Sequence, residues 1–234
     1  MKHSFLYIFL FLLFSSGHVQ AETIIHLPLS QKKELAKWNI CSWKKSKGTQ
    51  PEILKDADSR GFLRLGSAPK GLFLVLPQPV TLTPQIKKLK LSVEIRLAVP
   101  AQPIRAGVAL TSRNAPTRRL QPFQAGADSG IQACGYQFNK NFAQHQANFI
   151  QVRRTGHCIK ALSAEGNTGF LRPEKMWQKW CLEYDGVNKI LLLQNGSADA
   201  VARLHHVDLT GETMRGLWLS GNLDFRNVCL DVEK

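Results

Sequence analysis

Beyond its first 21 residues the chain has no apolar stretch long enough to cross a membrane, which takes about 20 residues. Acidic residues are scarce in the middle. From Arg60 to Lys160 there are 15 Lys and Arg but only Glu94 and Asp128 to oppose them, within a formal net charge of +14. There is no C-x-x-C spacing, so the usual zinc arrangement is missing. No acidic loop offers the 6 to 8 oxygens, roughly, that calcium takes. The serine-hydrolase elbow, the phosphate-binding loop and the dinucleotide fingerprint are all absent. Helix-period runs are few, and no linker or internal repeat divides the chain. These absences leave no cofactor and no metal to expect.

The start of the chain reads as a targeting segment. Lys2 is followed by an apolar run from Phe5 to Phe14, and Val19-Gln20-Ala21 places small residues where a signal peptidase cuts. Cleavage after Ala21 leaves a mature chain of residues 22–234, which can form one large domain. The expected location is the periplasm or the exterior, with no membrane span after processing. Five cysteines, Cys41, Cys134, Cys158, Cys181 and Cys229, then meet an oxidising compartment. Disulfides are expected there. The odd count leaves at least one thiol over, and spacing alone does not choose the pairs.

The dominant period is two. Leu89, Leu91, Val93, Ile95 and Leu97 alternate with Lys90, Ser92, Glu94 and Arg96, the pattern of a half-buried strand. Shorter runs at 62–65, 72–76, 104–111, 136–138, 149–152 and 159–162 follow the same logic. Trp180, Leu182 and Tyr184 share one face of another strand. Asp185-Gly186-Val187-Asn188 supplies a hairpin turn, 190–193 the return strand, and Asn195-Gly196 a second turn. Strands are expected at 201–209, 214–220 and 227–232. One short helix suits Gln31 to Lys37, and a turn of helix suits Arg172 to Gln178. About a dozen short strands imply an all-β fold, two antiparallel sheets packed as a sandwich or jelly roll.

This order of a tryptophan-led strand, D-G turn, apolar strand, N-G, R-G-L-W-L-S-G strand and terminal F-R-N-V strand resembles the concanavalin A-like/laminin G-like jelly-roll superfamily. Within it, the chain is most similar to secreted bacterial domains described as 3-keto-disaccharide hydrolase-like. Trp180, Asp185, Gly186, Asn195, Gly196, Gly216, Leu217, Phe225, Asn227 and Val228 carry the likeness, which is best over residues 130–232. Trp38-Asn39-Ile40 and Gly61-Phe62-Leu63 suit its opening strands. The resemblance implies a curved sheet whose concave face often holds glycan. Its members include lectins, hydrolases and lyases, so the site must be argued separately.

The hydrolases of such a fold commonly carry a carboxylate set as E-x-D-x-x-E, which is absent here. Ser92-Val93-Glu94-Ile95-Arg96 faintly resembles the R-x-E-x-R strand of alginate-lyase-type jelly rolls, with Ser92 in place of the first arginine. Glu94 and Arg96, with Tyr136 or His145 as a base, are therefore the catalytic candidates. The competing reading is a solvated strand face. Arg113, Arg118 and Arg119 lie in a long polar loop, and Arg153 and Arg154 end a strand. Arginine forks suit the carboxylates or sulfates of an acidic glycan.

Trp43, Trp177 and Trp218 are candidates for stacking on sugar, whereas Trp38 and Trp180 suit the core. His206 and Asp208 would share a strand face, but two ligands make no metal site. The expected partner is a polysaccharide or oligosaccharide of anionic character rather than nucleic acid. A carbohydrate-active enzyme, either 3-keto-disaccharide hydrolase-like or a lyase, is the alternative. An envelope structural or interaction protein is the third class.

Overall fold

The computed structural model describes residues 21–42, 50–65, 70–97, 104–115, 128–137, 146–154, 157–165, 176–195, 197–221 and 223–234. Fifteen strands and one short helix are assigned there: β1 (Ala21–Leu27), α1 (Lys32–Leu35), β2 (Asn39–Ser42), β3 (Glu52–Lys55), β4 (Gly61–Arg64), β5 (Lys70–Thr81), β6 (Lys88–Leu97), β7 (Ile104–Thr111), β8 (Gly130–Gln137), β9 (Gln146–Arg154), β10 (His157–Glu165), β11 (Gln178–Asp185), β12 (Ile190–Asn195), β13 (Ser197–Leu204), β14 (Thr213–Ser220) and β15 (Leu223–Glu233). They form two antiparallel sheets. Sheet A runs β13-β12-β11-β6-β15-β4-β3, with β1 also paired to β15. Sheet B runs β10-β9-β8-β7-β14-β5-β2. The all-β sandwich expected from the alternating pattern is the fold.

The alternation in β6 sets one wall of the core. Leu89, Leu91, Val93 and Ile95 are buried, and the first three meet Tyr184, Leu182 and Trp180 of β11 in register. Sheet B answers with Leu72, Leu74, Val108, Leu110, Ile131, Ile150, Val152, Leu217 and Leu219, all within one apolar cluster. Trp38 and Trp180 belong to it too. Apolar burial of this kind is the main favourable term in holding two sheets together.

The turn after β11 forms as its residues dictate. The Asp185 carboxylate accepts from the backbone N–H of Val187 at 2.9 Å and of Asn188 at 2.8 Å, and from the Asn188 side chain at 2.7 Å. This Asx arrangement replaces backbone bonds the turn cannot make. In β15 a bulge falls between Arg226 and Cys229, with Asn227 at φ 50. Asn tolerates that left-handed conformation, and the extra residue re-phases the strand. Phe225 faces the core before the bulge, and Val228, Leu230 and Val232 face it afterwards.

Several elements differ from the sequence reading. β1 and β3 are strands that the pattern did not announce: β3 has only four residues, and both lie at sheet margins. β8 starts at Gly130, earlier than 136, since G-I-Q-A-C-G-Y-Q has little strand propensity of its own. The expected strand 201–209 ends at Leu204, and His206 at φ 58 breaks it. The helix at 31–37 narrows to Lys32–Leu35. Of the expected helical turn at 172–178, residues 172–175 lie outside the described residues and Gln178 opens β11.

The expected disulfides are not found among the described residues, where Cys181 and Cys229 are free thiols. Both stand opposite Ser92, on either side of β6. Two strand spacings separate them by about 9.6 Å, beyond the reach of about 7 Å that a bridge allows.

Candidate functional site

The outer face of sheet B carries a second, smaller apolar group apart from the core, made of Phe73, Ala109 and Trp218. One row of register partners crosses the sheet here: Gln151 on β9, Gln132 on β8, Ala109 on β7, Trp218 on β14, Phe73 on β5 and Asn39 on β2. The two rings sit 6.4 Å apart at 59°. Each leans over a glycine of the other's strand. A Cβ on Gly71 would strike the Trp218 indole, and a Cβ on Gly216 would strike the Phe73 ring. Small residues thus let two large rings lie close to the sheet instead of standing off it.

Polar groups close one end of this face. The Ser112 N–H donates to the Ser129 carbonyl at 2.9 Å, and the Ser129 N–H donates to the Ser112 hydroxyl at 2.9 Å. Arg113 Nη1 reaches Asp128 Oδ2 at 3.0 Å and Oδ1 at 3.3 Å. The Thr111 hydroxyl accepts from the Arg113 N–H at 3.0 Å. Thr111, Asp128, Ser129 and Gln132 are all buried. The two ends of the loop between β7 and β8 are clamped together by these contacts.

The outer face of sheet A holds a different cluster. The Asp224 carboxylate, fully buried, accepts from Arg64 Nε at 2.8 Å and Nη2 at 3.0 Å, and from Arg96 Nε at 2.9 Å. Arg226 donates through Nε to Glu94 at 2.6 Å and through Nη1 to Asp56 at 2.8 Å. Asn227 donates to the other Glu94 oxygen at 2.8 Å. Trp177 has the guanidinium carbons of Arg226 and Arg96 at 4.0 and 4.6 Å from its ring centroid. Arg96 also lies 4.4 Å from the Phe62 ring. Three arginines, three carboxylates and two aromatics form a charge-balanced lattice held by bidentate and cation–π contacts.

This lattice decides what Glu94 can do. Burial pushes its carboxyl upward, but the bonds from Asn227 and Arg226 outweigh that and hold it below its ordinary value. Arg64 is raised, first by its hydrogen bond to Asp224. A carboxylate that is already ionised and accepts on both oxygens has little capacity to serve as a proton shuttle.

The sequence candidates therefore separate. Glu94 and Arg96 sit in β6 of sheet A, whereas Tyr136 is in β8 of sheet B, with its side chain outside the described residues. The fold does not bring those three together. Arg113, Arg153 and Trp218 all come to sheet B. Trp218 is only 1% exposed, so it lines this face from beneath and offers no open ring to a sugar. Arg113 closes the loop neck through Asp128. Arg118, Arg119, Trp43 and His145 lie outside the described residues. Trp177 is half-buried in the arginine lattice. Asp208 pairs with Lys189 at 3.3 Å, and its hydrogen bonds from Thr210 lead in holding its carboxyl down at about 2.

Phe73, Gln132 and Asp128 were missed as members of this face. Asp128 had one visible sign, being one of two acids in the basic stretch. Phe73 and Gln132 had none, because their neighbours come from distant strands.

Known proteins share the fold at low identity. The carbohydrate recognition domain of Emp46p, in its metal-free form, superposes with a TM-score of 0.55 at 10% identity, covering 89% of this chain and 94% of that one. A legume lectin-like domain from Entamoeba histolytica gives 0.56 at 10% identity, covering 88% and 95%. A carbohydrate esterase from Shiga toxin-encoding bacteriophage phi24B gives 0.57 at 9% identity, covering 92% and 100%. The chain thus has the legume lectin-like, concanavalin A-like jelly-roll fold. No protein-family profile matches it. No curated protein matches it by sequence.

Proposed function

We propose that this chain is an exported carbohydrate-binding domain, that its ligand is an anionic glycan, and that sheet B meets it. One observation carries the reading: charge is divided between the two sheets. The strands of sheet B hold Lys70, Arg105, Arg153, Arg154, Lys160 and Arg215 against the single strand acid Glu165, with Arg154 paired to Glu212 just before β14. The strands of sheet A hold eight Lys or Arg against nine Asp or Glu. A field of one sign on one side favours polyanions approaching that side. Structural neighbours described as carbohydrate recognition and lectin domains support the glycan part.

The test is affinity electrophoresis against neutral and acidic polysaccharides, with released reducing or unsaturated ends assayed in parallel. Retention by acidic polysaccharides, weakened by salt and by Arg153→Glu with Arg215→Glu, is the expected result. The combined Arg113→Ala/Arg118→Ala/Arg119→Ala chain tests the loop in the same way. Retention indifferent to salt removes the electrostatic part. Product release turns the reading to an enzyme, which the likeness to a carbohydrate esterase keeps in view. A stable envelope partner with no glycan affinity would favour the structural class.

A further inference from the structure

At one margin of the sandwich β1 of sheet A meets β5 of sheet B. Among the described residues β1 has β15 as its only strand partner, and β2 covers β5 only from Lys70 to Phe73. Beyond Phe73, no strand of the described residues lies between β5 and β1. Beside this contact lies a crevice of about 400 Å³, within the range of small-ligand sites. Its walls are Ile24, Leu27, Leu74, Val75 and Pro77, with Lys37 and His26 at the rim.

Three features define what fits. First, the walls are apolar and partly open: Val75 is 42% exposed, one of four large hydrophobics so exposed among the described residues. Second, the rim is basic only. No acid is among the described lining residues, and none of the ion pairs among the described residues uses Lys37 or His26. Third, the edge is a poor template for an added strand. Pro77 has no N–H to donate, and the register of β5 against β14 shifts between Val75 and Val80.

We propose that this crevice binds the end of a single acyl chain carrying an anionic head group, with the chain against Val75 and Ile24 and the head at Lys37. Nothing in the glycan reading requires this site, and it lies at the margin between the sheets instead of on the outer face of sheet B. A free fatty acid and a single-chain lipid phosphate share this chemistry.

Titration calorimetry of the full chain with decanoate, decyl phosphate and decanol, and sedimentation with phosphatidylglycerol vesicles, tests it. Saturable binding of decanoate or decyl phosphate is expected, with decanol at least tenfold weaker. Decanoate alone would mark free acids as the source, and decyl phosphate alone a phosphate head. Up to the length that fills the crevice, each added methylene should tighten binding about fourfold. Val75→Asp and Lys37→Glu, both at exposed positions, should each weaken binding at least tenfold with unchanged melting. No saturation by either amphiphile, equal binding in both variants, or binding to vesicles alone would overturn the proposal.

Discussion

The indole of Trp218 on β14 packs over Gly71 on β5, two residues along from its register partner Phe73, while Phe73 packs over Gly216. The relationship is reciprocal, so neither glycine can gain a side chain without displacing a ring. Gly71→Ala and Gly216→Ala should each cost about 1–3 kcal/mol, as overpacked sites do. Urea unfolding followed by tryptophan fluorescence measures this. A neutral result at both would show that the rings have room to move.

Asp224 is the buried acceptor between Arg64 and Arg96. Its removal strands two guanidinium groups that keep only part of their access to water. Asp224→Ala should destabilise by about 3–5 kcal/mol, toward the lower end because both arginines reach solvent. If sheet B meets the glycan as proposed, retention per folded molecule should stay unchanged. Parallel melting and affinity electrophoresis separate the two effects.

Glu94 gives a pH dependence of definite sign. Its folded carboxyl lies below the ordinary 4.5, so the unfolded chain binds its proton first. The stabilisation is complete above the ordinary value and is lost as pH falls through the folded one. Denaturant midpoints taken downward from pH 6 should fall, and Glu94→Gln should flatten that slope. An equal slope in the variant would assign the loss to other carboxylates.

The strand order predicts a protein without internal disulfides. Cys134 on β8 and Cys158 on β10 have β9 between them, and Cys41 on β2 is four strand spacings, about 19 Å, from β8. Cys181 and Cys229 belong to the other sheet, with β6 between them. The mass of the purified monomer should not change on reduction, and thiol titration in denaturant should count five. Native Cys229 should react slowly at pH 8, because burial leads in pushing its thiol up to about 11. A mass gain of two protons on reduction would refute the unbridged arrangement.

Local patterning determined much of this protein. The alternation of Leu89 to Leu97 fixed a strand and its buried face, because side chains of a strand point to opposite sides in turn. Asp185-Gly186-Val187-Asn188 fixed a hairpin, because its carboxylate caps the turn it makes. Fifteen cations against two acids fixed a basic middle. Long-range pairing decided the rest. Nothing local tells Glu94 that Arg226, 132 residues away, will take its charge. Nothing local tells Trp218 that Gly71 lies beneath it, or divides the cations between two sheets. Those outcomes depend on which strands become neighbours, and that choice belongs to the packing of the whole chain.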